Sequence, residues 1–202
     1  MKYVFPQYMY DSLIVRIMNQ SLLFREIYYE RQVNNVYFDT SELGNFLDAV
    51  NGTPNRSKTR VRWYGELKSV INPKLEYKYK RGFAGEKTIS DFHDFGITNI
   101  AELVVDNLAP TLVNTYKRRY FATPDELLRV TIDRDLRYYR TEQMVIGTEF
   151  GAQSQNVVLE LKFERDDLIE SSERFQSFGW RICQNSKYVN GVNAVHYGKF
   201  PE

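Results

Sequence analysis

Cysteine and histidine are scarce in this chain of 202 residues, which has one cysteine, Cys183, and two histidines. One cysteine cannot form an internal disulfide, and a chain without disulfides suits a reducing compartment, so we predict a cytoplasmic protein. His93 and His196 lie far apart in the sequence, which excludes the usual Cys/His zinc site. Disulfide-stabilised and zinc-stabilised small folds are therefore excluded.

Long apolar runs and signal-peptide patterns are also missing, so we expect no membrane span in this chain. Glycine-rich phosphate loops, GxSxG elbows and HExxH helices do not occur. With no repeat, low-complexity tract or linker, residues 1–202 are predicted to form a single domain.

The chain has almost no net charge, because 27 Lys and Arg residues are balanced by 26 Asp and Glu residues, which gives a formal charge of +1. A general nucleic-acid-binding domain is usually more basic, so we expect no nucleic acid polymer as a partner. A single-stranded RNA-binding sheet is a distant alternative, given 15 Tyr and 13 Phe. Any anion site must come from local segregation of charge.

What the chain does contain is charge at every second position of strand-like segments. Arg60 and Arg62 alternate in RVRWYG, and Glu76, Lys78 and Lys80 alternate in LEYKYKR. The same pattern recurs in RVTID and LELKFE, through Arg129, Thr131, Asp133, Glu160 and Lys162. Side chains on a strand have period two, so each set lies on one face of a sheet. The residues between them are apolar or aromatic and form a packing face.

Strand-like segments dominate the rest of the chain, and helical spacing is confined to a few stretches. Apolar residues at helical spacing predict a helix over residues 10–30. Further helices are expected near residues 41–50, 100–105 and 166–178, and residues 184–192 are rich in turn formers. Strands are expected at 1–5, 35–39, 57–65, 74–81, 86–90, 110–122, 128–134, 136–140 and 156–164. We predict an α+β fold, with about eight antiparallel strands closed into a barrel and flanking helices.

Several cations on one interior face need a neutralising partner, since an unpaired buried charge costs several kcal/mol. The basic candidates for this face are Lys2, Arg60, Arg62, Lys78, Lys80, Arg118, Arg129, Lys162 and Lys187. Their excess over Glu76 and Glu160 favours a polyanionic ligand. The two carboxylates tolerate a phosphate chain if Mg²⁺ or Mn²⁺ lies between them, since these ions prefer carboxylate and phosphate oxygens. The competing interpretation is an ordinary solvated face with cross-strand salt bridges.

Eight segments, spread in order over essentially the whole chain, form one set. They are KYVFP at 2–6, NNVYFDT at 34–40, RVRWYG at 60–65, LEYKYK at 75–80, PTLVNTYKRRYF at 110–121, RVTID at 129–133, VLELK at 158–162 and SKYVNGV at 186–192. Taken together and in this order, they resemble the VTC domain, the polyphosphate polymerase module of the triphosphate tunnel metalloenzyme (CYTH-like) superfamily.

The resemblance implies a basic tunnel that polymerises inorganic polyphosphate from ATP, with polyphosphate or orthophosphate as acceptor and Mn²⁺ or Mg²⁺ as cofactor. It implies phosphate binding by Lys2, Arg60, Arg62, Lys78, Arg118 and Arg129. It further implies an active-site role for Tyr116, metal binding by Glu160, and closure over the substrate by Ser186 and Lys187. Lys80, Lys162 and Glu76 are candidates from the alternation alone, and Glu76 is the second predicted metal ligand.

Two departures from the family pattern leave alternatives open. Members of the superfamily commonly begin with a Glu-x-Glu-x-Lys strand, whereas only Met1 precedes Lys2, so we expect that the chain is truncated or lacks those acids. Gln184 stands where a further basic residue is expected. The alternatives are a triphosphatase using the same tunnel and a non-catalytic polyphosphate-binding module. In the fungal complex a membrane span couples such domains to polyphosphate translocation, and none is expected here, so we expect synthesis without transport; a membrane-protein partner that supplies the span is the alternative.

Overall fold

The structure, a computed structural model, describes residues 1–82, 84–93, 100, 102–142, 151–163 and 179–199. In these ranges the strands are β1 (Lys2–Pro6), β2 (Arg25–Asp39), β3 (Asn55–Tyr64), β4 (Lys74–Arg81), β5 (Ala84–Asp91), β6 (Ala109–Ala122), β7 (Arg129–Arg140), β8 (Ala152–Gln153) and β9 (Asn156–Lys162). The α-helices are α1 (Tyr10–Met18), α2 (Gly44–Val50) and α3 (Lys187–Tyr197), and a 3₁₀ turn at Gln7–Met9 precedes α1.

The strands form one sheet in the order β1-β9-β7-β6-β2-β3-β4-β5, with β8 paired to β7. The registered strand pairs are antiparallel. The predicted α+β class and antiparallel sheet are therefore confirmed. In the described ranges the order ends at β1 and at β5, so closure into a barrel is not confirmed.

Residue contacts divide the chain into two compact units, and β2, β6 and β7 contribute residues to both. The first unit comprises Met1–Arg31, Tyr116–Leu136 and Gln155–Asn185. Its core lies on one face of β1, β9, β7 and β6, where alternate apolar residues such as Leu159 and Ile132 are fully buried. Helix α1 covers this core through Leu13, Ile14 and Ile17, which share one helical face.

The second unit comprises Gln32–Thr115, Arg137–Ser154 and Ser186–Glu202. Its core is built from the apolar alternation of β2 and β3, with Val36, Val61 and Trp63 fully buried. Helix α3 packs closely on β6 and β7 of this unit at Gly191. A Cβ at that position would lie 2.4 Å from Leu112 Cδ2 and 2.6 Å from Tyr138 Cδ1, so only glycine permits this approach.

Three element predictions are wrong. Helix α1 ends at Met18, and residues 25–30 of the predicted helix belong to the long strand β2, since REIYYE is rich in strand-favouring aromatics. The two strands predicted at 128–134 and 136–140 are one strand, β7 (Arg129–Arg140), which continues through Asp135 although that residue takes a positive φ of 54°. The turn-rich segment after Gln184 begins helix α3, because Ser186 accepts a hydrogen bond from Val189 N and caps it.

The helix predicted at 166–178 lies outside the described residues. In the described part of the chain, no helix combines the length and apolar character that crossing a membrane requires.

Candidate functional site

In the second unit, the faces of β3 and β4 opposite the core carry a dense set of basic side chains. Val61 and Leu75 point into the core, so their neighbours Arg60, Arg62 and Glu76 project from the other face. The register places Arg60 opposite Glu76, and Arg62 opposite Lys74. The sequence prediction that these residues share a face is therefore met by the strand pairing.

Three lysines stand in one row across this face. Lys58 of β3 is the register partner of Lys78 of β4, and Lys78 is the partner of Lys87 of β5. Like charges directly opposite one another destabilise a sheet, so such a row needs a compensating group. Lys58 donates to Ser186 Oγ at 2.8 Å, and Lys87 lies 3.2 Å from a Glu76 oxygen.

Glu76 is the buried carboxylate at the centre of this face. Its Oε2 accepts from Arg60 Nε at 2.8 Å and from Nη2 at 2.5 Å. Its Oε1 lies 3.2 Å from Lys87 Nζ and 3.6 Å from Arg62 Nη1. One carboxylate therefore has three cations around it, and the face keeps an excess of positive charge.

The pKa values on this face reflect that imbalance. Burial alone raises the pKa of the Glu76 carboxyl, but Arg60, Arg62 and Lys87 outweigh it and lower the value to about 2. The pKa of the Lys87 ammonium is lowered, first by burial and then by Arg60 and Arg62, against the opposing effect of Glu76. The low pKa of Glu76, against the effect of burial, therefore indicates a positive field at its carboxylate.

Strand β2 holds the two arginines in place. Arg60 Nη1 donates to Tyr37 Oη at 3.1 Å, and Arg62 Nε donates to Asn35 Oδ1 at 2.9 Å. Tyr37 in turn stacks on Tyr188 of α3, with ring centroids 5.0 Å apart. Such anchoring reduces the side-chain entropy that a ligand contact costs.

The C-terminal residues Ser186 and Lys187 reach the same unit through helix α3. Tyr188 donates to Asp39, a fully buried carboxylate that also accepts from the backbone of Asn45 and Phe46. This buried contact fixes the start of α3 relative to β2. Ser186 therefore lies beside Lys58, and Lys187 is the first residue of the helix.

Lys58 and Lys87 are charged residues of this face that were not among the predicted site residues. Lys58 stands two residues before Arg60 in KTRVR, so extending the alternation by one step finds it. Lys87 has no alternating cations on its own strand, and only the β4–β5 register brings it to Glu76. Lys80 lies two residues after Lys78, with Arg56 and Gly85 as its register partners.

The first unit carries its own cleft of about 450 Å³, lined by Met1, Leu127, Arg129, Glu160, Leu161, Lys162 and Phe163. Arg129 and Lys162 are direct register partners, which again sets two cations side by side. Glu160 pairs in register with Lys2 on β1 and with Thr131 on β7. The Nζ of Lys2 donates to the backbone oxygen of Asn185 at 2.6 Å.

Arg118 and Tyr116 of β6 occupy a buried part of the first unit. The Arg118 guanidinium donates to Asp133 from Nε at 2.5 Å and from Nη2 at 2.8 Å, and lies 5.2 Å from the Tyr116 ring centroid. Burial lowers the pKa of Arg118, but Asp133 raises it well above its usual range. The structure thus places this predicted phosphate ligand in a bidentate ion pair.

The carboxylates differ in how well they suit the implied Mg²⁺ or Mn²⁺. Among the residues that the structure describes, no three or more His, Cys, Asp or Glu side chains are grouped so that they could hold a metal ion. These ions are often held by one or two carboxylates together with substrate phosphates, and Glu160 at the cleft of the first unit fits that mode. Glu76 does not fit, since cations surround both of its oxygens.

The predicted site residues thus fall into two groups. The second unit contains Arg60, Arg62, Glu76, Lys78, Lys80, Ser186 and Lys187. The first unit contains Lys2, Tyr116, Arg118, Arg129, Glu160 and Lys162. Their roles in binding or catalysis stay predictions.

Comparison with known proteins finds one matching family model and solved structures of similar fold. The family model of the VTC domain matches residues 1–94 and 96–196. Among solved structures, the chain is similar to the PH1819 protein of Pyrococcus horikoshii OT3, with a TM-score of 0.53 and 12% identity over 93% of each chain. It is also similar to a putative adenylate cyclase of Vibrio parahaemolyticus, with a TM-score of 0.55 and 10% identity over 94% of this chain and 95% of that one. These two likenesses show the fold alone. No curated protein matches the chain.

Proposed function

This chain belongs to the VTC domain family, and from that premise we propose that it is an ATP-dependent inorganic polyphosphate polymerase. It transfers the γ-phosphate of ATP to the end of a polyphosphate chain or to orthophosphate. Closure of the sheet into a barrel, expected from the sequence, is part of this proposal.

The observation that carries the proposal is the row of Lys58, Lys78 and Lys87 beside Arg60 and Arg62. A solvated sheet face normally pairs opposite charges across strands, whereas here three lysines oppose one another. A linear polyanion with closely spaced charges offsets that repulsion along the whole row. The arrangement therefore favours a phosphate chain over a ligand with a single charge.

The arginines and lysines have different parts in this binding. Arginine offers a planar fork for two phosphate oxygens, and lysine acts as a compact point charge. In the second unit, Arg60 and Arg62 orient phosphate groups, while Lys78 and Lys80 neutralise the chain. In the first unit, Arg129 and Lys162 hold phosphate at the cleft that also contains Glu160.

In the transfer step, a terminal oxygen of the acceptor forms a bond to the γ-phosphorus of ATP. The bond between the γ-phosphorus and the oxygen bridging it to the β-phosphate breaks, and ADP leaves with that electron pair. The protein contributes alignment and fixed positive charge, since phosphoryl transfer asks for little covalent chemistry from side chains. A divalent metal held by Glu160 would supply charge neutralisation on the phosphates.

Product analysis tests the proposal. The purified protein is incubated with ATP and Mn²⁺, and the products are resolved on a polyphosphate gel. A ladder of long chains supports a polymerase, whereas free phosphate without a ladder overturns it in favour of a triphosphatase. Polyphosphate binding without turnover overturns it in favour of a binding module.

A matched pair of variants ties the activity to the face. We expect Arg62→Ala to abolish the ladder while the far-UV circular dichroism spectrum stays unchanged. Arg119→Ala is the control, because Arg119 pairs with Glu26 and takes no part in this face. Equal activity of the Arg62→Ala variant and the wild type would contradict the assignment.

A further inference from the structure

We call the side of β3, β4 and β5 that carries Lys58, Arg60, Arg62, Lys78 and Lys87 the cationic face of the second unit. Glu76 is its buried carboxylate, and the two oxygens of Glu76 make unequal contacts. The Arg60 fork holds Oε2 at 2.5 and 2.8 Å, which is the geometry of a strong charge-assisted pair. The contacts of Oε1 are longer, at 3.2 Å to Lys87 Nζ and 3.6 Å to Arg62 Nη1. One side of the carboxylate is thus tightly bound and the other loosely bound.

Arg60, the tightly bound partner of Glu76, is held from two directions. Glu76 takes its Nε and Nη2, and Tyr37 Oη takes Nη1 at 3.1 Å. Two partners on different edges of a planar group fix both its position and the direction in which its plane faces. Lysine at this position has no such plane to orient.

We propose that Glu76 is a positioning residue and not a metal ligand. It holds the Arg60 fork in place for the substrate and keeps Lys87 and Arg62 close to the phosphate path until the substrate arrives. A phosphate oxygen then takes over the loose contacts of Lys87 and Arg62, while the tight pair with Arg60 persists. This inference rests on the proposed function, because the ligand it names is the phosphate chain of that site.

Two consequences separate this role from the alternatives. Removing the charge of Glu76 makes the face more positive, so phosphate binds at least as tightly, yet Arg60 loses its orientation and turnover falls. A metal ligand behaves differently, since its loss raises the metal concentration needed for activity. Replacing a merely structural residue changes neither the turnover nor the metal concentration needed for activity, once the variant is folded.

The experiment compares Glu76→Gln with Asp91→Asn in the full chain. Asp91 pairs with Lys74 on the neighbouring row, so its variant removes one negative charge without touching Arg60. Binding of inorganic tripolyphosphate is measured without metal by calorimetry, and turnover of ATP is measured across a range of Mn²⁺ concentrations. Folding is checked by thermal melting.

We expect Glu76→Gln to keep or improve tripolyphosphate affinity, by up to about tenfold, and to lower kcat at least tenfold at saturating Mn²⁺. The Mn²⁺ concentration for half-maximal activity stays within twofold of wild type, and Asp91→Asn changes kcat less than twofold. A tenfold rise in that Mn²⁺ concentration overturns the inference and restores Glu76 as a metal ligand. Equal kcat losses in the two variants overturn it too.

Arg60→Lys provides the second test, including the case in which Glu76→Gln does not fold. It keeps the charge but removes the fork, so we expect a similar loss of kcat with tripolyphosphate affinity within threefold of wild type. Where both variants fold, the double variant loses no more than either single one, because both act through one pair. A full kcat in Arg60→Lys overturns the inference. Wild-type protein that neither binds tripolyphosphate nor turns over ATP overturns the proposed function itself.

Discussion

Ser186 joins the start of helix α3 to the cationic face, since its hydroxyl oxygen accepts both from Lys58 Nζ at 2.8 Å and from Val189 N at 3.3 Å. One side chain therefore caps the helix and fixes a lysine. Helix capping of this kind is worth about 1 kcal/mol.

Ser186→Ala is expected to lower both stability and phosphate binding. The loss of the cap lowers the free energy of unfolding by about 1 kcal/mol, and Lys58 loses its anchor. Urea unfolding and tripolyphosphate titration measure the two effects. Ser12→Ala is the control, because Ser12 donates only to the Met9 carbonyl on an exposed helix start. Unchanged binding in Ser186→Ala would show that Lys58 needs no anchor.

Asp133→Asn is expected to destabilise the first unit strongly. Asp133 is fully buried and accepts two hydrogen bonds from Arg118, so its neutralisation leaves a buried guanidinium without its counter-charge. Breaking such a pair costs about 3 to 5 kcal/mol. Urea unfolding followed by fluorescence measures it, with Asp135→Asn as a partly exposed comparison. A loss under 1 kcal/mol would mean that water reaches Arg118.

Stability is expected to fall in acid through Glu76. Its pKa is about 2 in the folded protein against an ordinary value of 4.5, so its ionised form is favoured by folding. The contribution, on the order of 3 kcal/mol, is complete above pH 4.5 and is lost as the pH falls through 2. Urea unfolding from pH 5 to pH 2 measures it, and Glu76→Gln is expected to show a flatter profile. Parallel profiles would contradict the low pKa.

Gly191→Ala is expected to displace helix α3. The added Cβ would meet Leu112 and Tyr138 at distances no real contact shows, so the helix must shift or the core must repack. We expect a loss of about 1 to 3 kcal/mol in unfolding free energy. Gly85→Ala is the control, because its Cβ would meet its nearest neighbour, the Tyr79 oxygen, at an ordinary 3.8 Å. Equal melting temperatures would show that α3 adapts at no cost.

Residues 10–30 and the residues after Gln184 show why part of the fold was mispredicted. Helical spacing at Leu13, Ile14 and Ile17 identified α1 correctly, but the pattern does not reveal that β2 begins at Arg25. The residues at the start of α3 favour turns, so the sequence pattern did not predict a helix there. The helix is stabilised by the Ser186 cap and by burial of Tyr188. Tertiary packing overrides local propensity in both places.

By itself, the sequence determined which charged residues share a face, because a strand's side chains alternate whatever the strand pairs with. Arg60 and Arg62, or Glu76 and Lys78, lie together for that reason alone. Only the tertiary structure decided which residues touch across strands, since register joins positions far apart in the chain. It placed Lys87 beside Glu76 on the cationic face, and it paired Asp133 with Arg118 in a buried ion pair. Period-two patterning contains no information on that register, which is set by the packing of the whole sheet.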